Sequence, residues 1–148
     1  MHLTKGMEIV VSAISANCLA QVYKFVVYFI AHKQFNFKRL FQTGGMPSSH
    51  SSFMMAMTTS VGLLDSINSV TFAIALTVAL VVMYDAAGLR QAVGKQAAVL
   101  NQIVAEIFSE HPNLSSQKFK ELLGHTPVEV LVGALLGVTV AVWTHWLN

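Results

Sequence analysis

Three runs of about twenty or more apolar residues, at 7–31, 70–89 and 127–147, constrain this chain more than any other feature. A bilayer core needs roughly 20 consecutive apolar residues in a helix to cross it. A fourth, shorter run at 49–64 is partly polar and reads as a tilted or protein-buried span. Hydrophobic residues make up 54% of the chain and charged residues 11%, against about a quarter charged in a soluble domain. The fold class that follows is all-α: a polytopic membrane helical bundle with about four transmembrane helices. At 148 residues it is one domain, 1–148. The net charge of +2, with no basic run interleaved with aromatics, excludes nucleic acid as a partner. The single cysteine, Cys18, rules out an internal disulfide and reads as a packed core residue. No small-x-small cleavage site follows the first run, so it reads as a retained span.

Taken in order, the first run carries Asn17, Gln21 and Lys24 on one helical face. Lys24 lies about 10 Å from the run's end. It is either a functional intramembrane charge or a lysine snorkelling to the nearer interface. A basic loop follows, with Lys33, Lys38 and Arg39. Residues 65–69 make a tight turn without positive charge, and the third span carries Asp85 near its end. From 90 to 109 the pattern is amphipathic, with Leu89, Val93, Leu100, Val104 and Ile107 on one face, and predicts a helix lying at the interface. A second short amphipathic helix is expected at 115–123, giving one or two interfacial helices. The last span ends in Trp143 and Trp146, which suit an interface. Basic residues cluster after the first and third spans, while the other side offers Lys5 offset by Glu8. The positive-inside bias therefore places both termini outside and both basic segments in the cytoplasm. His50, Arg90 and His125 then fall at span ends on one face, with Lys24 and Asp85 just beneath it.

Two segments carry chemistry. Residues 44–52, Gly-Gly-Met-Pro-Ser-Ser-His-Ser-Ser, join a flexible glycine pair (Gly44, Gly45) to hydroxyls at the mouth of a helix. Backbone N–H groups there approach a ligand closely and form an anion site. His50 at that mouth can move protons near neutral pH. In the second segment His125 precedes Glu129 by four residues, a spacing that suits an imidazole held in one tautomer with its other nitrogen directed at an electrophile. Thr126, Pro127 and Glu129 also form a capping-box pattern. Glu129 can serve as helix cap, as histidine orienter, or as both.

Pro47-Ser48-Ser49-His50, followed by Gly124-His125-Thr126-Pro127-Val128-Glu129-Val130 and Gly133, resembles the second and third motifs of the type 2 phosphatidic acid phosphatase and vanadium haloperoxidase superfamily. Those motifs read P-S-G-H and S-R-x5-H-x3-D. Residues 44–52, 83–90 and 94–101 together resemble its small divergent branch, and the likeness covers nearly the whole chain. The resemblance implies a phosphatase that needs no metal and no cofactor. His125 would attack phosphorus and become a phosphohistidine. His50 would protonate the leaving oxygen and then activate water, and Glu129 would orient His125. Ser48, Ser49 and Gly45 would contribute to holding the phosphate oxygens, whose charge such a site must stabilise.

Two departures accompany the likeness. The first motif, K-x6-R-P, is absent ahead of His50, and Phe119 stands where the third motif has arginine. Arg90 is the first candidate for a replacement cation and Lys24 the second. Lys95 diverges from Arg90 by about 140° around a helix and suits a solvated face. Lys118 and Lys120 lie either near His125 or on anionic headgroups. Asp85 is expected to pair with Lys24 or Arg90. His2, His32, His111 and His145 read as residues of termini, interfaces or loops. One cysteine and scattered histidines do not supply the four ligands of a zinc site.

The implied activity is hydrolysis of a lipid phosphomonoester or diphosphate, of the phosphatidylglycerophosphate, phosphatidate or prenyl phosphate type. The expected setting is a bacterial cell membrane, with the site facing the cytoplasm and membrane lipids all around. The alternative is a non-catalytic membrane protein that binds lipid phosphate or serves as a scaffold subunit. Gly133 and Gly137 form a G-x-x-x-G pattern that predicts close helix contact, within the monomer or in a homo-oligomer.

Overall fold

The computed structural model describes residues 3–33, 45–109 and 125–148, without the side chains of 89–91 and 105–109. Five helices account for nearly all of them: α1 (Lys5–His32), α2 (Ser49–Leu64), α3 (Val70–Ala87), α4 (Leu89–Ser109) and α5 (Pro127–Leu147). The helix expected at 115–123 lies outside the described residues, as do His2, Lys38, Arg39, Gly44, His111, Lys118 and Lys120. Hydroxyl side chains start four of the helices. Thr4, Ser48, Ser69 and Thr126 each accept a backbone N–H of the first turn, which satisfies one of the donors a helix start leaves open.

Contacts between the helices give their directions. Thr58 Oγ1 donates to Ala75 O across α2 and α3, and Ser52 Oγ donates to Ala16 O across α1 and α2. Both pairs are antiparallel. Gly133 faces Ser48, and Gly137 faces Ser52 and Ala56, so α2 and α5 run parallel with both N-termini at one end. The His125 N–H donates to Ala86 O at 3.1 Å, joining the start of α5 to the end of α3. α4 therefore leaves from, and the chain returns to, the same end of the bundle. α1, α2, α3 and α5 form an up-and-down four-helix bundle, with α4 touching only α3 among the described helices. α1, α5 and the run from Val70 to Val104 are each long and apolar enough to cross a bilayer. α2, at 16 residues and thus about 24 Å long, is shorter than a ~30 Å hydrocarbon core. It touches α1, α3 and α5, so protein surrounds it on three sides.

The core is built from small residues. Ser12, Ala16 and Ala20 on α1, Ser48, Ser52, Ala56 and Ser60 on α2, Ala75 and Ala79 on α3, and Gly133, Gly137 and Ala141 on α5 are all buried. Each set repeats every fourth residue and so forms a stripe along one helix face. In lipid no hydrophobic force drives helices together, and close van der Waals approach of small residues takes its place. The large apolar side chains point outward: Ile30, Ile74, Val81, Leu131 and Trp146 are all exposed. The G-x-x-x-G pattern thus works inside the monomer, between α5 and α2. Cys18, expected in the core, is exposed. It sits two residues from Ala16 and from Ala20, about 200° around the helix from each, so its thiol turns outward.

At the end of the bundle away from His125, α1 and α5 are tied by polar contacts. Glu8, 1% exposed, accepts from Asn148 Nδ2 at 2.7 Å and lies 2.7 Å from His145 Nδ1. Leu3 and Asn148 exchange two further hydrogen bonds. His145, read from sequence as an interfacial residue, is in fact the partner of a buried carboxylate. The two ends of the described chain meet at this end of the bundle.

Candidate active site

α2 and α5 start side by side. Ser48 caps α2, which places His50 in its first turn, and His125 lies immediately before Thr126, the cap of α5. The Ser48 N–H donates to Glu129 O at 3.0 Å and links the two helix starts. They can approach so closely because Gly133 has no side chain: a Cβ there would sit 2.4 Å from Ser48 O. The positive ends of two helix dipoles therefore converge, an arrangement that favours an anion.

The His50 and His125 rings face each other edge to face, with centroids 6.3 Å apart. His125 is 1% exposed, and its Nδ1 lies 2.9 Å from Glu129 Oε2. A carboxylate at Nδ1 holds the proton on that nitrogen and puts the lone pair on Nε2, the tautomer a nucleophile requires. Glu129 Oε2 also accepts from the Thr126 N–H, and Thr126 Oγ1 accepts from the Glu129 N–H, which completes the capping box. One oxygen of Glu129 thus contacts both the helix start and the imidazole.

Lys24 enters from α1. Its Nζ donates to Ser49 Oγ at 3.5 Å, and it is close enough to Glu129 for a charge interaction. Its stem runs beneath Gly45, where a Cβ would lie 3.7 Å from Lys24 Cδ. Gly45 has φ +78°, a left-handed conformation that glycine takes without strain. Lys24 thus joins the histidine pair in space although the first motif is missing from the sequence. Ser48 is committed to the fold: its N–H goes to Glu129 O, and its Oγ accepts from the Ser51 N–H and Oγ. Ser51, not singled out from sequence, completes that cap. Asp85 is exposed in the last turn of α3 and Lys95 is exposed on α4. Arg90 lies one turn beyond Ala86 at the start of α4, but its side chain lies outside the described set, as does Lys120.

Buried small-residue stripes and long apolar helices with outward-facing large side chains define an integral membrane protein, one in which two converging helix starts carry a histidine pair. The chain belongs to the Divergent PAP2 family, which matches residues 6–140. It is also similar to YuiD, described as an uncharacterized membrane protein of Bacillus subtilis (strain 168). The two are 38% identical over 137 residues, covering 86% of this chain and 87% of the relative. No solved structure matches the chain.

Proposed function

We propose that this protein is a lipid phosphate phosphohydrolase working through a phosphohistidine. The observation that carries the reading is the pair of rings 6.3 Å apart, one of them held by Glu129 at 2.9 Å. A phosphoryl group held at this pair would take His125 Nε2 as nucleophile and His50 as the proton donor to the departing oxygen, the two roles that phosphoryl transfer to a histidine needs. The Nε2 lone pair attacks phosphorus, the P–O bond to the lipid breaks, and His50 gives its proton to the departing oxygen. His50 then takes a proton from water, whose oxygen attacks phosphorus and breaks the P–N bond. Inorganic phosphate leaves, and both histidines return to their starting states. Through both steps the Lys24 ammonium, Ser49 Oγ and the two helix N-termini stabilise charge on the equatorial oxygens. Ser48 acts indirectly, by holding α2 against α5.

The substrate is a phosphomonoester or diphosphate of the phosphatidylglycerophosphate, phosphatidate or prenyl phosphate type, presented at the cytoplasmic leaflet of a bacterial cell membrane. Phosphate release in detergent from a panel of these lipids, for wild type, His125→Ala and His50→Ala, tests the reading. Release by wild type that both substitutions abolish is expected. Release that survives both refutes the histidine mechanism. A folded protein that binds vanadate or lipid phosphate without turnover establishes instead the lipid-phosphate binder, the reading favoured by the absence of two motif cations.

A further inference from the structure

The site sits against an apolar groove that the histidine chemistry does not use. α3 and α5 touch where His125 N–H meets Ala86 O. Beside that contact lies an open groove of about 620 Å³ between Leu80, Met83, Tyr84 and Ala87 on one side and Pro127 and Val130 on the other. Its upper end is the first turn of α5, the turn that holds Glu129, and Ala87 directly follows the residue bonded to His125. Its lower end, at Leu80, lies about 10 Å down α3 from Ala87. The walls are almost wholly apolar, and the head of the groove is the N-terminus of α5, the positive end of its dipole.

That sequence of surfaces, a positive helix end beside the histidine pair and then two turns of apolar wall, matches an amphiphile with a phosphate at one end. We infer that the α3–α5 groove holds the hydrocarbon chain of the lipid phosphate whose headgroup lies between His50 and His125. The inference rests on the proposed phosphate site and adds where the rest of the substrate lies. The bilayer already solvates a chain as well as leucine side chains do, so the groove contributes little affinity. What it contributes is register. A chain laid against α3 and α5 brings its phosphate to a fixed depth at the histidines, and a chain diffusing in bulk lipid does not. Leu80 and Val81 at the lower end would then set how long a chain is accepted, and Val130, buried beside Glu129, would set how the first carbons leave the headgroup.

Photolabelling tests this on the intact chain. A long-chain lipid phosphate carrying a diazirine in its chain is incorporated into vesicles with the protein, irradiated, and the labelled peptides are mapped. Expected is labelling on residues 80–87 and 127–131 that excess unmodified lipid phosphate competes away. Labelling on the outward face of α5 at Val138, Val142 and Trp146 should be weak and should resist competition. Labelling that is unsaturable, or equal on the two faces, overturns the groove assignment. Phosphate release is followed in the same vesicles, so the two readings fail separately. Competed groove labelling without release sinks the phosphatase but keeps the groove, and release with diffuse labelling does the reverse. Leu80→Trp, at the exposed lower end, should lower the ratio of long-chain to short-chain turnover by about tenfold or more. An unchanged ratio in the folded variant counts against the groove.

Discussion

Gly133→Ala is a one-methyl change whose effect can be worked through from the packing. The added Cβ would stand 2.4 Å from Ser48 O and 3.0 Å from Ser48 N, where ordinary contacts begin near 3.4 Å. The obstacle is backbone on both sides, so no rotamer relieves it, and α2 must move from α5 by about 1 Å. Overpacking of this kind costs about 1–3 kcal/mol. The larger consequence falls on chemistry. Ser48 precedes Ser49 and His50, and its N–H bond to Glu129 O sets the distance between the two histidine-bearing helix starts. Misplacing reacting groups by about 1 Å can cost on the order of 10²-fold in rate. Gly133→Ala should therefore remain a folded, detergent-soluble protein with a lowered melting temperature, and lose about two orders of magnitude in kcat for phosphate release. Gly137→Ala meets Ser52 O at 2.3 Å and Ala56 N at 2.8 Å, one turn deeper, and should lose stability at least as much with a smaller loss of rate. Fluorescence-detected size exclusion after heating gives the first quantity, and turnover of the folded fraction the second. A Gly133→Ala protein with wild-type melting and wild-type rate would refute the claim that close approach of α2 to α5 positions the site.

Glu129→Gln keeps a side chain able to cap α5 but removes the charge on His125 Nδ1. Stability should fall by no more than about 1 kcal/mol, while kcat drops by about 10²–10⁴-fold, and a rate within threefold of wild type would exclude the orienting role. Lys24→Met should lower kcat by about 10²–10³-fold with partial recovery in Lys24→Arg, and equal activity of all three would mean that Lys24 merely snorkels. Asp65, in the exposed turn after α2, is held below the ordinary carboxylate value of 3.8 by hydrogen bonds from Thr71 and Ser69. Its folded value is depressed, so its contribution is present above the unfolded value and is lost as pH falls through the folded one. Thr71→Val should raise the Asp65 pKa toward its ordinary value in a carboxyl-labelled NMR titration, and no movement would assign the depression to another cause.

How much of this was legible in the sequence depended on range. The helix boundaries followed from apolar runs and local punctuation: the structured ends at 5–32, 49–64 and 127–147 fall within two residues of those read. The Thr126–Glu129 capping box and the His125–Glu129 pair were legible because all their atoms lie within one helical turn. The inward faces were not. In a soluble helix the apolar stripe marks the core, but here the outside is apolar too, and what marks the inside is smallness, as in Ser12-x-x-x-Ala16-x-x-x-Ala20. Cys18 was misplaced for that reason. Lys24 stayed between two readings because its outcome depends on Ser49, 25 residues away, and His145 lacked any local signal for Glu8. Asp85 was expected to pair with Lys24 or Arg90; it is exposed at the end of α3, and the Arg90 side chain lies outside the described residues.

The tie between Glu8 and His145 also bears on how the protein is made. Glu8 belongs to a helix that leaves the ribosome well before α5, and its partner follows 137 residues later. Throughout that interval α1 carries a carboxylate that is costly to draw into the hydrocarbon and has no histidine to meet it. The newly made α1 should thus ride high, with Glu8 among the headgroups, until α5 arrives. The arrival that seats Glu8 also delivers His125 and Glu129 to α2, because all three partners travel on the same segment. Nascent chains stalled before α5 would hold a half-inserted anchor and half of the histidine pair, a state the membrane's quality-control proteases would recognise by its unburied acid.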